Sequence, residues 1–217
     1  MALLINEQGE LIVKAPLKLS NAQIFDFVRE KHEWIVRQQQ KVLQNSRLNH
    51  SVMSYNSFLF LGVQHAPVIT DDVKKVTRYD NRLLIPSKFA EAGEITVLKK
   101  IEKWMRDMAK QIVSERCSYF GQRLRLEYRG VTVNNNKSRW GVCDDKGNIA
   151  LNWRAVMLPP HLLDYIVVHE FCHLLEFNHT PQFWAIVETI LPNWKVIRRE
   201  LKLYNYLLTL FRPLPKP

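Results

Sequence analysis

The chain has 217 residues, enough for one domain with a sizeable core, and its hydrophobic (47%) and charged (24%) fractions are those of an ordinary globular protein. Its apolar runs all fall short of the ~18 residues that span a bilayer, so a membrane-embedded class is excluded and no membrane partner is expected. The net charge of +10, from 31 Lys+Arg against 21 Asp+Glu, favours polyanionic partners such as nucleic acid or nucleotides, although general solubility accounts for such an excess equally well.

The N-terminus, MALLINEQGE, lacks a basic stretch followed by a long apolar one, so no secretory signal is expected and the cytoplasm is the default compartment. Residues 3–16 read as two short strands around a turn at Glu7-Gln8-Gly9. A helix follows, capped by Ser20 or Asn21, with Ile24, Phe27, Val28, Ile35, Val42 and Leu43 at near-helical spacing to about Asn45. The polar stretch 46–56 reads as a loop. Short apolar runs between 57 and 87 alternate with turn signals and predict a small antiparallel sheet.

A long helix is predicted over 94–119, with Ile95, Leu98, Ile101, Trp104, Met105, Met108, Ile112 and Val113 as its apolar stripe and Gly121 as its stop. Lys99, Lys100, Lys103, Arg106 and Lys110 form a basic face, read as solvated surface ahead of an anion-binding stripe. Strand character returns over 130–153, with a turn at Asp144-Asp145-Lys146-Gly147. Pro159-Pro160 then opens a helix running through His161–Phe177, with Asn178 just past its end. Two more helices are expected, at 181–190 with Thr180 as N-cap and at about 193–210. The sum is an α+β fold in a single domain over 1–217, its strands and helix at 1–90 leading into a helical catalytic segment at 91–217. Cys117, Cys143 and Cys172 show no CxxC spacing and read as reduced, mostly buried thiols.

The chemistry concentrates in His169-Glu170-Phe171-Cys172-His173. His169 and His173 are one helical turn apart, so both imidazoles leave the same face and can chelate a divalent ion, with zinc the first choice. Glu170 is then placed to take a proton from a water held by the metal without itself ligating it, the role of the Glu in HExxH. The flanking residues Ile166, Val167, Val168, Phe171, Leu174 and Leu175 are apolar, so the helix is buried and its polar groups need partners. The bland alternative is a pair of structural histidines held by hydrogen bonds.

A third ligand is expected at His179, six residues past His173, a spacing that metzincins use with a Gly where this chain has Glu176. The turn then falls at Phe177-Asn178. Glu188 is the rival ligand, and Glu176 is either a carboxylate supporting a ligand or a surface group. Arg139 is the basic residue expected beside the metal, binding an anionic substrate group or stabilising developing charge, unless it only fixes its strand as an ion pair. Trp140 is a candidate substrate-binding residue, although it and Trp184 read first as core or pocket wall. Asn152 either supports a metal ligand or is simply a polar strand residue.

Three segments around this motif, Ser138–Cys143, Gly147–Arg154 and Asn178–Trp184, together with Asp164–His173, resemble the YgjP-like metallopeptidase family, a zincin-like group with HExxH and a following N-H-(S/T)-x-x-F-W segment. The close resemblance covers about residues 130–200, and a weaker one extends through Glu33-Trp34-Ile35 and Phe60-Leu61-Gly62. Val142 stands where Ser is common and Phe171 where Leu is common, neither at a ligand position. The resemblance implies a zincin-like helical segment packed on a small, mostly antiparallel sheet. It implies one Zn²⁺ held by His169, His173 and His179, with Glu170 as catalytic carboxylate, and a more distant kinship with SprT-like and WLM-type proteases.

The leading expectation is therefore a zinc-dependent hydrolase acting on peptides or proteins, with Ni²⁺ or another divalent ion as the alternative metal. A second reading keeps the metal but makes the substrate an anionic nucleotide, as in a UTP-type triphosphate pyrophosphatase. Against it, the chain lacks a GxxxxGK[ST] pattern, and phosphate chemistry usually prefers Mg²⁺ held by carboxylates. A third reading is a nucleic-acid-associated protein with a structural zinc and no turnover, in contact through its basic surface. Structural zinc usually takes four, mostly cysteine, ligands, which this segment does not offer.

Overall fold

The structure is a computed structural model that describes residues 1–6, 10–40, 53–54 and 57–209. The chain forms two compact units, Met1–Ser51 and Val52–Pro217. In the first, strands β1 (Ala2–Ile5) and β2 (Leu11–Lys14) pair antiparallel, with Ala2 opposite Lys14. Helix α1 (Asn21–Glu30) starts at a capping box: the Ser20 hydroxyl accepts from the Gln23 N–H, and the Gln23 side chain accepts from the Ser20 N–H. Helix α2 is described over 32–40. The expected turn at Glu7-Gln8-Gly9, the helical stretch beyond residue 40 and most of the expected 46–56 loop lie outside the described residues.

The second unit carries the main core. Its first sheet has strand order β3-β4-β5-β7-β6, formed by β3 (Met53–Ser54), β4 (Ser57–Phe60), β5 (Val63–Thr70), β6 (Thr77–Tyr79) and β7 (Arg82–Pro86). The expected antiparallel pairing holds except between β5 and β7, which run parallel. Local alternation predicts strands but carries no information on which distant strand lies alongside. At the β4–β5 turn Leu61 (φ 51°) and Gly62 (φ 76°) are both left-handed, the two-residue hairpin conformation that favours Gly in its second place. A Cβ on Gly62 would stand 2.9 Å from Cα of Pro159, so this turn seats closely on the residue that caps the helix carrying His169.

Helix α3 (Ser87–Glu91) leads into α4 (Glu94–Leu124). The buried side of α4 is Val97, Ile101, Met105, Ala109, Val113, Cys117, Phe120 and Gly121. Ile95, expected on the stripe, is 53% exposed. Gly121 does not end the helix. It lies inside, where an added Cβ would meet Cε1 of Tyr128 at 3.0 Å. The helix ends three residues later, with Arg125 in the left-handed conformation. Arg116 of α4 forms a two-pronged pair with Asp164 at 2.6 and 2.7 Å, tying α4 to α5 (Pro160–Cys172).

The second sheet, β8 (Gly130–Asn134), β9 (Gly141–Cys143) and β10 (Asn148–Asn152), has order β8-β10-β9, with β8–β10 parallel and β10–β9 antiparallel. Helix α5 packs on β9 and β10. A 3₁₀ turn over Trp153–Met157 joins β10 to α5, and α6 (Pro181–Ile190) and α7 (Trp194–Leu203) complete the core before a second 3₁₀ turn at Asn205–Thr209. The fold class is α+β, with mixed sheets. Among the described residues no helix is long and apolar enough to cross a membrane. Cys117, Cys143 and Cys172 are free and buried, and burial raises Cys117 and Cys172 to about 12 and Cys143 to about 11, so all three remain protonated thiols.

Candidate metal centre

Helix α5 stops five residues earlier than its apolar pattern suggests. His173 is its C-cap, still in right-handed helical conformation (φ −68°, ψ −17°). The chain then tightens: Leu174 N–H donates to Phe171 O and Leu175 N–H to Cys172 O, both at 3.1 Å, and Leu175 is 55% exposed. Leu174 and Leu175 extend the apolar spacing in sequence without extending the helix.

The turn that follows builds the site. The His173 ring holds Nδ1 3.2 Å from the carbonyl oxygen of Glu176. A carbonyl only accepts, so Nδ1 carries the proton and Nε2 keeps its lone pair for a metal. The Glu176 carboxylate accepts from the Asn178 N–H at 3.1 Å, closing the turn in the place where metzincins use a glycine. Thr180 caps α6 by accepting from Phe183 N–H at 3.3 Å. Between the turn and this cap, His179 comes back over α5, and its Nε2 stands 3.0 Å from Nε2 of His169.

One ring nitrogen from each of His169, His173 and His179 lies within 4.8 Å of the other two. Two nitrogens on a tetrahedral zinc, each about 2.05 Å from the ion, stand roughly 3.3 Å apart, so the 3.0 Å separation of His169 and His179 suits a shared cation. His169 Nδ1 is buried with no hydrogen-bond partner among the described residues. With its other nitrogen turned to a second imidazole, a bound cation is the natural partner for that ring. The donor set therefore fits a divalent metal. Glu188 is outside the cluster, its carboxylate 3.8 Å from Lys195.

Phe183, fully buried, lies under all three imidazoles with ring centroids 4.9, 4.5 and 4.7 Å from His169, His173 and His179. Trp184 stacks on His179 at 5.5 Å and on Trp194 at 4.3 Å. Burial, reinforced by His173, His179 and Arg198, drives the His169 pKa down to about 3. Burial lowers His173 and His179 as well. All three rings are neutral near pH 7, the form that binds metal.

Glu170 is 5% exposed, and burial raises its carboxyl to about 8, against the pull of Arg139 in the other direction. It faces Gly141 of β9, where an added Cβ would fall 2.7 Å from both Cγ and Cδ of Glu170. Arg139 itself is exposed and makes no ion pair among the described residues, so the strand-fixing alternative finds no partner. Its loop is fastened by Asn152, whose side-chain amide donates to the carbonyls of Asn136 and Arg139 while its Oδ1 accepts from the Arg154 N–H. Trp140 is buried, with its indole N–H donating to Asn205 at 2.9 Å.

Two residues near the cluster went unread in the sequence. Tyr165, one turn before His169 on α5, puts its ring 5.9 Å away. Its i−4 spacing was visible but indistinguishable from core. Arg198 of α7 lies over Trp184 at 4.7 Å, and no local spacing links it to the motif. The basic face of α4 is largely paired within its own helix: Lys103 and Lys110 with Asp107 at 2.9 and 3.7 Å, and Arg106 with Glu102 at 2.7 Å. That pairing describes a solvated face.

A family model described as YgjP-like, metallopeptidase domain, matches residues 1–204 of the chain. No curated protein and no solved structure matches it.

Proposed function

The chain belongs to the YgjP-like metallopeptidase family, and from that membership we propose that it is a zinc-dependent peptidase in which His169, His173 and His179 hold the metal and Glu170 is the catalytic carboxylate. The observation that carries the reading is the convergence of three neutral imidazole nitrogens within 4.8 Å, one residue along the chain from a buried carboxyl. An all-imidazole set suits zinc, with nickel the next choice. Three protein ligands in place of four leave room for substrate chemistry.

When bound, zinc in such a site acts as a Lewis acid and makes water more acidic. Glu170 accepts the proton of the attacking water on its carboxylate and returns it to the departing amine. Burial raises the metal-free carboxyl to about 8, and a dication beside it would favour the carboxylate form that accepts the proton. Arg139, on the loop fastened by Asn152, offers its guanidinium to the carbonyl oxygen as negative charge develops there. The buried ring of Trp140, its indole N–H held by Asn205, supports a wall rather than a substrate-binding role for it.

Purified protein stripped of metal and reloaded with zinc is incubated with a mixture of unstructured proteins, and new termini are read by mass spectrometry. Cleavage that appears only on reloading supports the reading. One bound zinc per chain with no new termini contradicts it.

A further inference from the structure

Among the cations of α7, Arg198 is the one whose guanidinium lies over Trp184, while Arg199 and Lys202 likewise form no ion pair among the described residues. Lys195 pairs with Glu188 at 3.8 Å, and Glu200, on the same helix, is taken by His161 at 2.9 Å. Arg198 has no carboxylate within ion-pair distance among the described residues. Its guanidinium carbon lies 4.7 Å from the centre of the Trp184 ring. Trp184 is in turn stacked on His179 and has its centroid 5.8 Å from that of His169. The positive charge is felt at both imidazoles, where it helps to hold them unprotonated.

A fixed cation beside a site for a dication is unfavourable by Coulomb's law. An anion bound there reverses the sign. The planar guanidinium matches a carboxylate with two parallel hydrogen bonds, and stacking on an indole holds the plane in place. Arg198 is exposed and lies over the Trp184 ring that stacks on His179, on a different element from Arg139.

We infer that Arg198 binds a carboxylate of the substrate, so that the peptides taken by this site carry a free C-terminus or an Asp or Glu side chain near the bond that is cut. This rests on the peptidase reading for the word substrate, but its test does not need turnover.

Three short peptide hydroxamates of one sequence serve as probes for the zinc-loaded protein: one with a free C-terminal carboxylate, one amidated, and one amidated with a Glu side chain. Affinities are measured by calorimetry, with zinc content determined for every variant. Wild type binds at least one carboxylate probe about tenfold more tightly than the neutral one, a difference typical of a charge-assisted pair. The two carboxylate arms identify which source is used. Arg198→Ala loses that preference, and Arg198→Lys keeps part of it, because the charge remains while the planar fork is lost. If Arg198→Ala loses zinc, the comparison is made between wild type and Arg198→Lys, where an unchanged preference overturns the inference. Equal affinity of wild type for all three probes, or an undiminished preference in Arg198→Ala, also overturns it. An Arg198-dependent preference in a protein that cleaves nothing sinks the peptidase reading and leaves carboxylate binding standing.

Discussion

Gly141 and Glu170 approach so closely that a β-carbon on Gly141 would sit 2.7 Å from both Cγ and Cδ of the carboxyl side chain. The strand β9 therefore acts as a backstop that sets where the carboxylate lies, and only a residue without a side chain permits it.

Gly141→Ala is expected to displace Glu170 while leaving the three histidines in place. Misplacing a catalytic group by about 1 Å costs on the order of 10²-fold in rate. Peptide cleavage is expected to fall by about that factor with zinc content unchanged. Loss of zinc in proportion to loss of activity would show that Gly141 matters for the fold of the site and not for Glu170.

Removing one imidazole leaves two ligands on α5 and its cap, or one on α5 and one on the turn. His173→Ala and His179→Ala are each expected to drop bound zinc well below one per chain after dialysis against a weak chelator. His161→Ala, at an exposed histidine outside the cluster paired with Glu200, is expected to keep it. Full zinc occupancy in His179→Ala would return the third ligand position to another residue.

The metal-free protein is expected to have a pH profile of stability set by Glu170 above 6.5 and, below it, by Glu170 against the three site histidines, of which His169 carries the large shift. His169 falls from 6.5 to about 3 on folding, so its contribution is present above 6.5 and is lost as pH falls toward 3. Glu170 rises from 4.5 to about 8, so its contribution is present below 4.5 and is lost as pH rises toward 8. The two slopes oppose each other between 4.5 and 6.5, and Glu170 alone acts from 6.5 to 8. Over that last interval stability is expected to fall by about 2 kcal/mol, at 1.36 kcal/mol per unit. In Glu170→Gln the fall disappears. Urea unfolding of both metal-free proteins across the range measures it, and parallel curves would contradict the assignment.

Gly121 of α4 supplies a stability test far from the chemistry. Gly121→Val places a branched side chain where even a Cβ would meet the Tyr128 ring at 3.0 Å and Phe171 at 3.5 Å. Overpacking of this kind costs about 1–3 kcal/mol. The midpoint of denaturant unfolding is expected to fall accordingly, and an unchanged midpoint would mean that the Tyr128 ring moves aside freely.

The readable parts of the site were the local ones. His169 and His173 are separated by one helical turn, and a spacing of four fixes their common face before any tertiary contact is known. Thr180-Pro181 likewise announces α6 by cap chemistry alone. The end of α5 was not readable, because Leu174 and Leu175 continue the apolar period while the backbone tightens beneath them. Gly121 looked like a stop because glycine serves both to end helices and to admit a neighbour, and only the position of Tyr128 separates the two. The parallel pairings β5–β7 and β8–β10, and Arg198 beside His179, depend on chain segments brought together by packing, which hydrophobic spacing does not encode.

The most direct test compares zinc-loaded wild type with Glu170→Gln on one cleavable peptide. The amide keeps the shape of the side chain beside Gly141 but cannot take the proton. With one zinc per chain retained, kcat/KM is expected to fall by about 10²–10⁴-fold, the range for loss of a general base. Hydrolysis at the wild-type rate by zinc-loaded Glu170→Gln would contradict the assignment of Glu170 as the catalytic carboxylate.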